Sequence, residues 1–345
     1  MRLCVDVFGG DHAPDAILSG CVQGLAHLDG GDTLVLVGDE PTIKELLQER
    51  SCVDPRIEIV HSTELIEMHE SPVEAVRGKK DSSLVRMALL GSAKAGDQRC
   101  EVVLSAGNTG ACVAAATMHM RRLPGVHRPG IAVTIPTFSG PVVMSDVGGN
   151  PEPRPSHLWQ YGIMADCLAR SVLGIENPRV SVLNIGSEEA KGTDLIRQTA
   201  ELLKVTPGIN YIGYVEGREV FNGGTDVVVT DGFVGNALLK MIEGMAKSFV
   251  QAIAQEIMES QPEAMITLEP TFKKLFKKMD YHEYGGAPLL GVNGICVIAH
   301  GSSLAKTISS AIRNAKTFHD RHLNEMIIKR IAEVNASMGG HPAAV

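Results

Sequence analysis

Short apolar runs alternate with longer stretches of helical period along most of the 345-residue chain. Runs at 3–8, 33–37, 57–60, 102–105, 131–135, 142–145, 180–185, 210–215, 227–230 and 295–299 predict strands. Between them, 13–27, 42–50, 83–95, 109–122, 157–173, 194–205, 234–259 and 303–334 carry helical spacing. Strand, Gly-rich turn, then helix is the rhythm of a doubly wound α/β fold with a mostly parallel sheet. No repeat of fixed period and no low-complexity linker divides it, so residues 1–345 are expected to form one large domain. The Pro-rich run 151–155 is the best internal break, or simply a loop. Ligands of such sheets bind where strand ends meet helix N-termini, so the strand ends are where chemistry is sought.

Composition narrows the partners. Hydrophobic residues make up 44% and charged residues 21%, ordinary for a globular protein. Net charge is −8, which disfavours nucleic acid and requires any anionic ligand to be met by local cations or backbone N–H groups. The seven cysteines are scattered with no C-x-x-C pair, as expected of reduced thiols in the cytoplasm. Arg2 and Asp6 flank only a short apolar run, so no signal peptide is expected.

Five strand ends carry unusual residues. Gly9, Gly10, Asp11 and His12 follow the first, a tight turn able to approach a ligand, or only a turn. Ser105-Ala-Gly-Asn-Thr-Gly110 opens a small-residue helix; Ser105, Asn108, Thr109 and Gly110 suit a phosphate, or Asn108 and Thr109 serve as caps. Asp146-Val-Gly-Gly-Asn150 reads as site lining or as loop support. Asn184 to Gly192 brings Lys191, a cation for phosphate, with Glu188 and Glu189 beside it. Asp231-Gly-Phe-Val-Gly-Asn236 puts Asn236 in a first helical turn, as an oxyanion donor or as a cap. Later, His300 and Ser302 suggest a nucleophile pair, but G-x-S-x-G is absent. No Walker A or dinucleotide fingerprint is present, which points to an enzyme handling a free phosphoryl or phosphate group, and the scattered histidines give little support for a metal or other cofactor.

Residues 260–282 leave the sheet pattern as a basic amphipathic helical excursion. Leu268, Phe272, Leu275, Phe276 and Met279 form one stripe, and Lys273, Lys274, Lys277 and Lys278 the other face. Such a helix suits an anionic membrane surface or a small acidic protein, or packs as an ordinary surface helix.

Taken in order, these motifs resemble the bacterial phosphate acyltransferase (PlsX) family of phospholipid synthesis. The resemblance runs from Asp6-Val-Phe-Gly-Gly-Asp11 through Lys79-Lys-Asp-Ser-Ser83, Ser105 to Gly110, Asp146-Val-Gly and Asn184-Ile-Gly. It continues through Asp231 to Asn236, Glu283 to Val292 and His300-Gly-Ser-Ser303. It implies transfer of an acyl group from acyl-[acyl carrier protein] to inorganic phosphate, the acyl phosphate feeding a membrane glycerol-3-phosphate acyltransferase. It also implies a homodimer of Rossmann-like architecture related to phosphotransacetylases, lying peripherally on the membrane through the 262–280 region. The family's catalytic Lys and Asn fall on Lys191 and Asn236. Ser187 stands where an acidic residue is usual, and the loop after Asp146 is unusually Pro-rich. Competing readings are a phosphotransacetylase acting on acyl-CoA and a non-catalytic membrane scaffold.

Overall fold

A computed structural model of the chain describes residues 1–260, 263, 268, 270–271 and 285–338. Its strands are β1 (Arg2–Asp6), β2 (Thr33–Gly38), β3 (Ile57–His61), β4 (Val102–Ser105), β5 (Gly130–Ile135), β6 (Val142–Ser145), β7 (Arg179–Leu183), β8 (Asn210–Val215), β9 (Val227–Val229), β10 (Ala287–Leu290) and β11 (Ile295–Ile298). They form one sheet in the order β3-β2-β1-β4-β11-β10-β5-β6-β9-β7-β8.

The expected parallel pairing holds in two blocks, β3-β2-β1-β4-β11 and β6-β9-β7-β8. Between them β10 runs antiparallel to both β11 and β5, and β5 antiparallel to β6. Three reversals in succession leave the two blocks running in opposite senses. Their carboxyl ends therefore lie on opposite edges of the sheet, and only the β10–β5 strip is within reach of both.

Both faces of the sheet are covered. Leu3 and Val5 of β1 belong to one apolar core and the intervening Cys4 to the other, the period-two alternation of a strand buried on both sides. One face is packed by α1 (Asp15–Gly24), α6 (Pro155–Leu173), α9 (Ala305–Asp320) and α10 (Leu323–Ser337). The other carries α4 (Ser83–Leu90), α5 (Thr109–Ala115) and part of α8 (Gly232–Ser260). The remaining helices are α2 (Glu40–Glu49), α3 (Pro72–Gly78) and α7 (Asp194–Lys204).

The single helix expected over 303–334 is two, because His322 adopts a left-handed conformation, φ 53°, and turns the chain between α9 and α10. Strand β10 and helix α3 were not anticipated by the apolar pattern. All seven cysteines are free thiols, six of them buried. Among the described residues no helix is long and apolar enough to cross a membrane. Of the basic amphipathic segment only Leu268 is described at a predicted contact position, helical and exposed. Phe272, Lys273, Lys274, Leu275, Phe276, Lys277 and Lys278 lie outside the described residues.

Candidate active site

A cleft of about 500 Å³ runs along the β10–β5 strip beneath α8. Asp11, Thr109, Gly110 and His300 reach it from the first block, and Val147, Gly148, Asn236 and Lys240 from the second.

The first-block loops are interlocked before any ligand arrives. Asp6, at the end of β1, is buried and accepts hydrogen bonds from the Ser105 hydroxyl (2.8 Å) and the Phe8 N–H (3.3 Å). Burial raises its pKa against those donors. Ser105 also accepts from the Gly107 N–H at 3.0 Å, so its hydroxyl is spent inside the protein. Asn108 is likewise occupied. Its Oδ1 caps α5 through the Ala111 N–H (3.0 Å), and its amide donates to the carbonyls of Glu67, Met68 and Glu70. These two predicted phosphate ligands are thus loop fasteners by side chain. What the turn leaves free is the Thr109 and Gly110 N–H groups, which make no hydrogen bond among the described residues. Gly10 is packed against Ala106 and Gly301, and the Asp11 N–H donates to the Gly301 carbonyl at 2.8 Å.

Across the cleft, α8 begins under the cap of Asp231, whose carboxylate accepts from the Phe233 (3.0 Å) and Val234 (2.9 Å) N–H groups. Asn236 is therefore not the cap, and its amide has no partner among the described residues. A side chain at Gly235 would strike the Asp146 carbonyl, its Cβ falling 2.0 Å from that oxygen. The bare glycine lets the first turn of α8 press on the 146–148 loop and sets the Asn236 amide beside Gly148. One turn on, Lys240 places its Nζ 3.3 Å from His300 Nε2. The Ser302 N–H (3.2 Å) and hydroxyl (2.8 Å) both meet His300 Nδ1. With a backbone N–H aimed at Nδ1, the hydrogen-bond network assigns the ring proton to Nε2. Ser302 thus orients the ring rather than serving as a nucleophile, and two donors face each other with no acceptor between them.

Asp146 supports this wall. Fully buried, it accepts the N–H groups of Ile131 (2.8 Å), Gly149 (2.9 Å) and Asn150 (2.6 Å), and burial pushes its pKa up to about 6. Lys191 is not brought to the cleft. It follows β7, two strands from β6, where its ammonium pairs with Glu188 at 2.6 Å and is half exposed. Lys240 is the cleft cation that strand-end reasoning missed, though its spacing of four from Asn236 was a usable sign. Among the described residues no group of three or more His, Cys, Asp or Glu side chains is placed to hold a metal ion.

The family profile described as "Fatty acid synthesis protein" matches residues 1–326. A phosphate acyltransferase of Clostridium perfringens is 44% identical over 336 residues, 97% of each chain. The chain belongs to the phosphate acyltransferase family. Another phosphate acyltransferase, from Desulfitobacterium hafniense, is 44% identical over 98% of this chain and 99% of its own. A solved phosphotransacetylase from Streptococcus pyogenes superposes with a TM-score of 0.59 at 15% identity, covering 92% of this chain and 94% of its own. EutD phosphotransacetylase from Staphylococcus aureus gives 0.56 at 16%, with the same coverages. At that identity these structures bear on the fold alone, which this chain shares with them.

Proposed function

We propose that this protein transfers the acyl group of acyl-[acyl carrier protein] to inorganic phosphate, releasing free carrier and acyl phosphate for phospholipid synthesis. The observation that carries the reading is the pair of facing donors, Lys240 Nζ and His300 Nε2–H, 3.3 Å apart at the exposed mouth of the cleft. They call for a shared acceptor, and a phosphate oxygen supplies it with charge to match. The free N–H groups of Thr109 and Gly110 line the same cleft and suit further phosphate oxygens.

Phosphate held there attacks the thioester carbonyl directly. A C–O bond forms as the C–S bond breaks, and the proton of hydrogenphosphate ends on the carrier thiol. Asn236 donates to the oxygen that gains charge in the tetrahedral stage. Fixing phosphate against the carbonyl removes most of the entropy of bringing the two together. Lys191 stands outside the cleft, paired with Glu188, so its part in the reaction requires its loop, flanked by Gly186 and Gly192, to move and carry the ammonium from Glu188 to phosphate. The exposed apolar stripe of Met241, Met245, Phe249 and Ile253 on α8, at intervals of one turn, supports the homodimer and membrane contact implied by the resemblance.

The test is release of free carrier from long-chain acyl-[acyl carrier protein] with and without phosphate. Phosphate-dependent release with a hydroxylamine-trappable product is expected; phosphate-dependent turnover of acyl-CoA alone would make the protein a phosphotransacetylase instead. Lys240→Ala is expected to raise KM for phosphate by roughly tenfold or more, and an unchanged KM removes it from the phosphate site. Lys191→Ala is expected to fold normally and lose turnover; full activity would leave Lys191 a surface ion pair.

A further inference from the structure

Beside the cleft lies a second concentration of charge that the reaction above does not use. Arg122, His127 and Arg128 precede β5, and Arg154 and His157 open α6. Arg128, Arg154 and His157, with Asn150 and Glu152, line a groove of about 460 Å³, and Arg122 and His127 stand near His157 at its side. The His127 and His157 rings meet edge to face, centroids 6.4 Å apart. Burial lowers the pKa of His157, and the positive surroundings of His127, Arg128, Arg154 and Arg122 lower it further.

In a chain of net charge −8, this is a local excess of cations, with Glu152 the one acid lining the groove among the described residues. None of the three arginines pairs with a carboxylate among the described residues. By contrast, Arg170 pairs with Asp166 and Arg179 with Asp226. Holding exposed like charges together costs stability, which a binding surface repays when its partner arrives.

The groove and the cleft share a wall. The loop that carries Gly148 beside Asn236 continues through Asn150 to Arg154. Asn150 fastens it on both sides, donating its N–H to Asp146 (2.6 Å) and accepting from the Gly232 N–H at the start of α8 (3.0 Å). A partner seated on the arginines is thereby held at a fixed offset from the Asn236 end of the cleft.

We infer that the Arg122–Arg128–Arg154 surface docks the acidic carrier protein and presents its thioester-bearing arm to the Asn236 end of the cleft. This rests on the acyl-carrier reading proposed above. It assigns carrier recognition to this groove rather than to the Lys273–Lys278 segment.

The test is the double variant Arg128→Glu/Arg154→Glu, assayed with one long-chain acyl group on carrier protein and on CoA. The kcat/KM for acyl carrier is expected to fall by roughly tenfold or more, chiefly through KM, with the loss shrinking as salt is raised. Turnover of acyl-CoA should stay within about twofold, and the Arg→Lys double variant should keep most of the carrier activity. Unchanged kcat/KM on acyl carrier, or equal losses on both substrates, would overturn the inference. Titrating labelled, non-acylated carrier protein onto wild type and variant reads the surface without turnover. If wild type shows no phosphate-dependent release, the catalytic reading fails while weaker carrier binding by the variant still supports the surface. Equal carrier binding, or loss only of binding to phosphatidylglycerol vesicles, overturns it.

Discussion

Replacing Asn236 by alanine is expected to lower kcat by roughly a hundred- to a thousand-fold, the cost of one lost oxyanion donor. The size follows from where the amide stands. It has no partner among the described residues, it lines the cleft, and the close packing of Gly235 on the Asp146 carbonyl sets it beside Gly148. An amide already placed where charge develops stabilises the transition state more than the bound substrate. The loss should therefore fall on kcat, with KM for both substrates little changed. Folding should be unaffected, since alanine is the better helix former and no hydrogen bond is broken. Saturating kinetics, with thermal unfolding as the control, would settle it: kcat within about threefold of wild type would end the oxyanion assignment.

Asp146→Ala should produce the largest loss of stability, about 3–5 kcal/mol. It strands the N–H groups of Ile131, Gly149 and Asn150, which join β5 to the loop that carries the cleft wall. Thermal or urea unfolding measures the loss, and a change under about 1 kcal/mol would show that the loop re-pairs those groups. The same carboxylate predicts a pH signature. Its pKa is about 6 in the folded chain against 3.8 for an ordinary aspartate, so between these values the folded state binds more protons than the unfolded. Its contribution is complete below about pH 4, falls as pH rises toward 6, and is constant above. Measured against the non-titrating Asp146→Asn, the stability difference should shift by up to about 3 kcal/mol across that window. A difference flat from pH 4 to 7 would contradict the burial of an ionised group.

Most strands were legible because both faces of the sheet are buried, which writes continuous apolar runs into the sequence. β10 was not, since it is four residues long and begins Ala287-Pro288. Strand direction was not legible either, because a buried run reads the same whichever way it points. The break at His322 had no Gly or Pro to announce it. Within the site, Ser105 and Asn108 were singled out for their chemistry, and that same chemistry lets them fasten Asp6 and the 67–70 loop. A short polar side chain looks identical in sequence whether its partner is a ligand or a neighbouring turn. Asn236 is left unpaired among the described residues because Asp231 already occupies the cap.

The central position of β10 and β11 has a consequence for how the chain is made. The strip that joins the two halves of the sheet is the last part of it to leave the ribosome, emerging only after all nine other strands. Until then β4 and β5 are bare edges, each a template for pairing with another nascent chain. The growing polypeptide must keep two half-sheets apart from their neighbours before the closing hairpin inserts between them. Such late, long-range closure makes maturation slow and favours chaperone protection during synthesis.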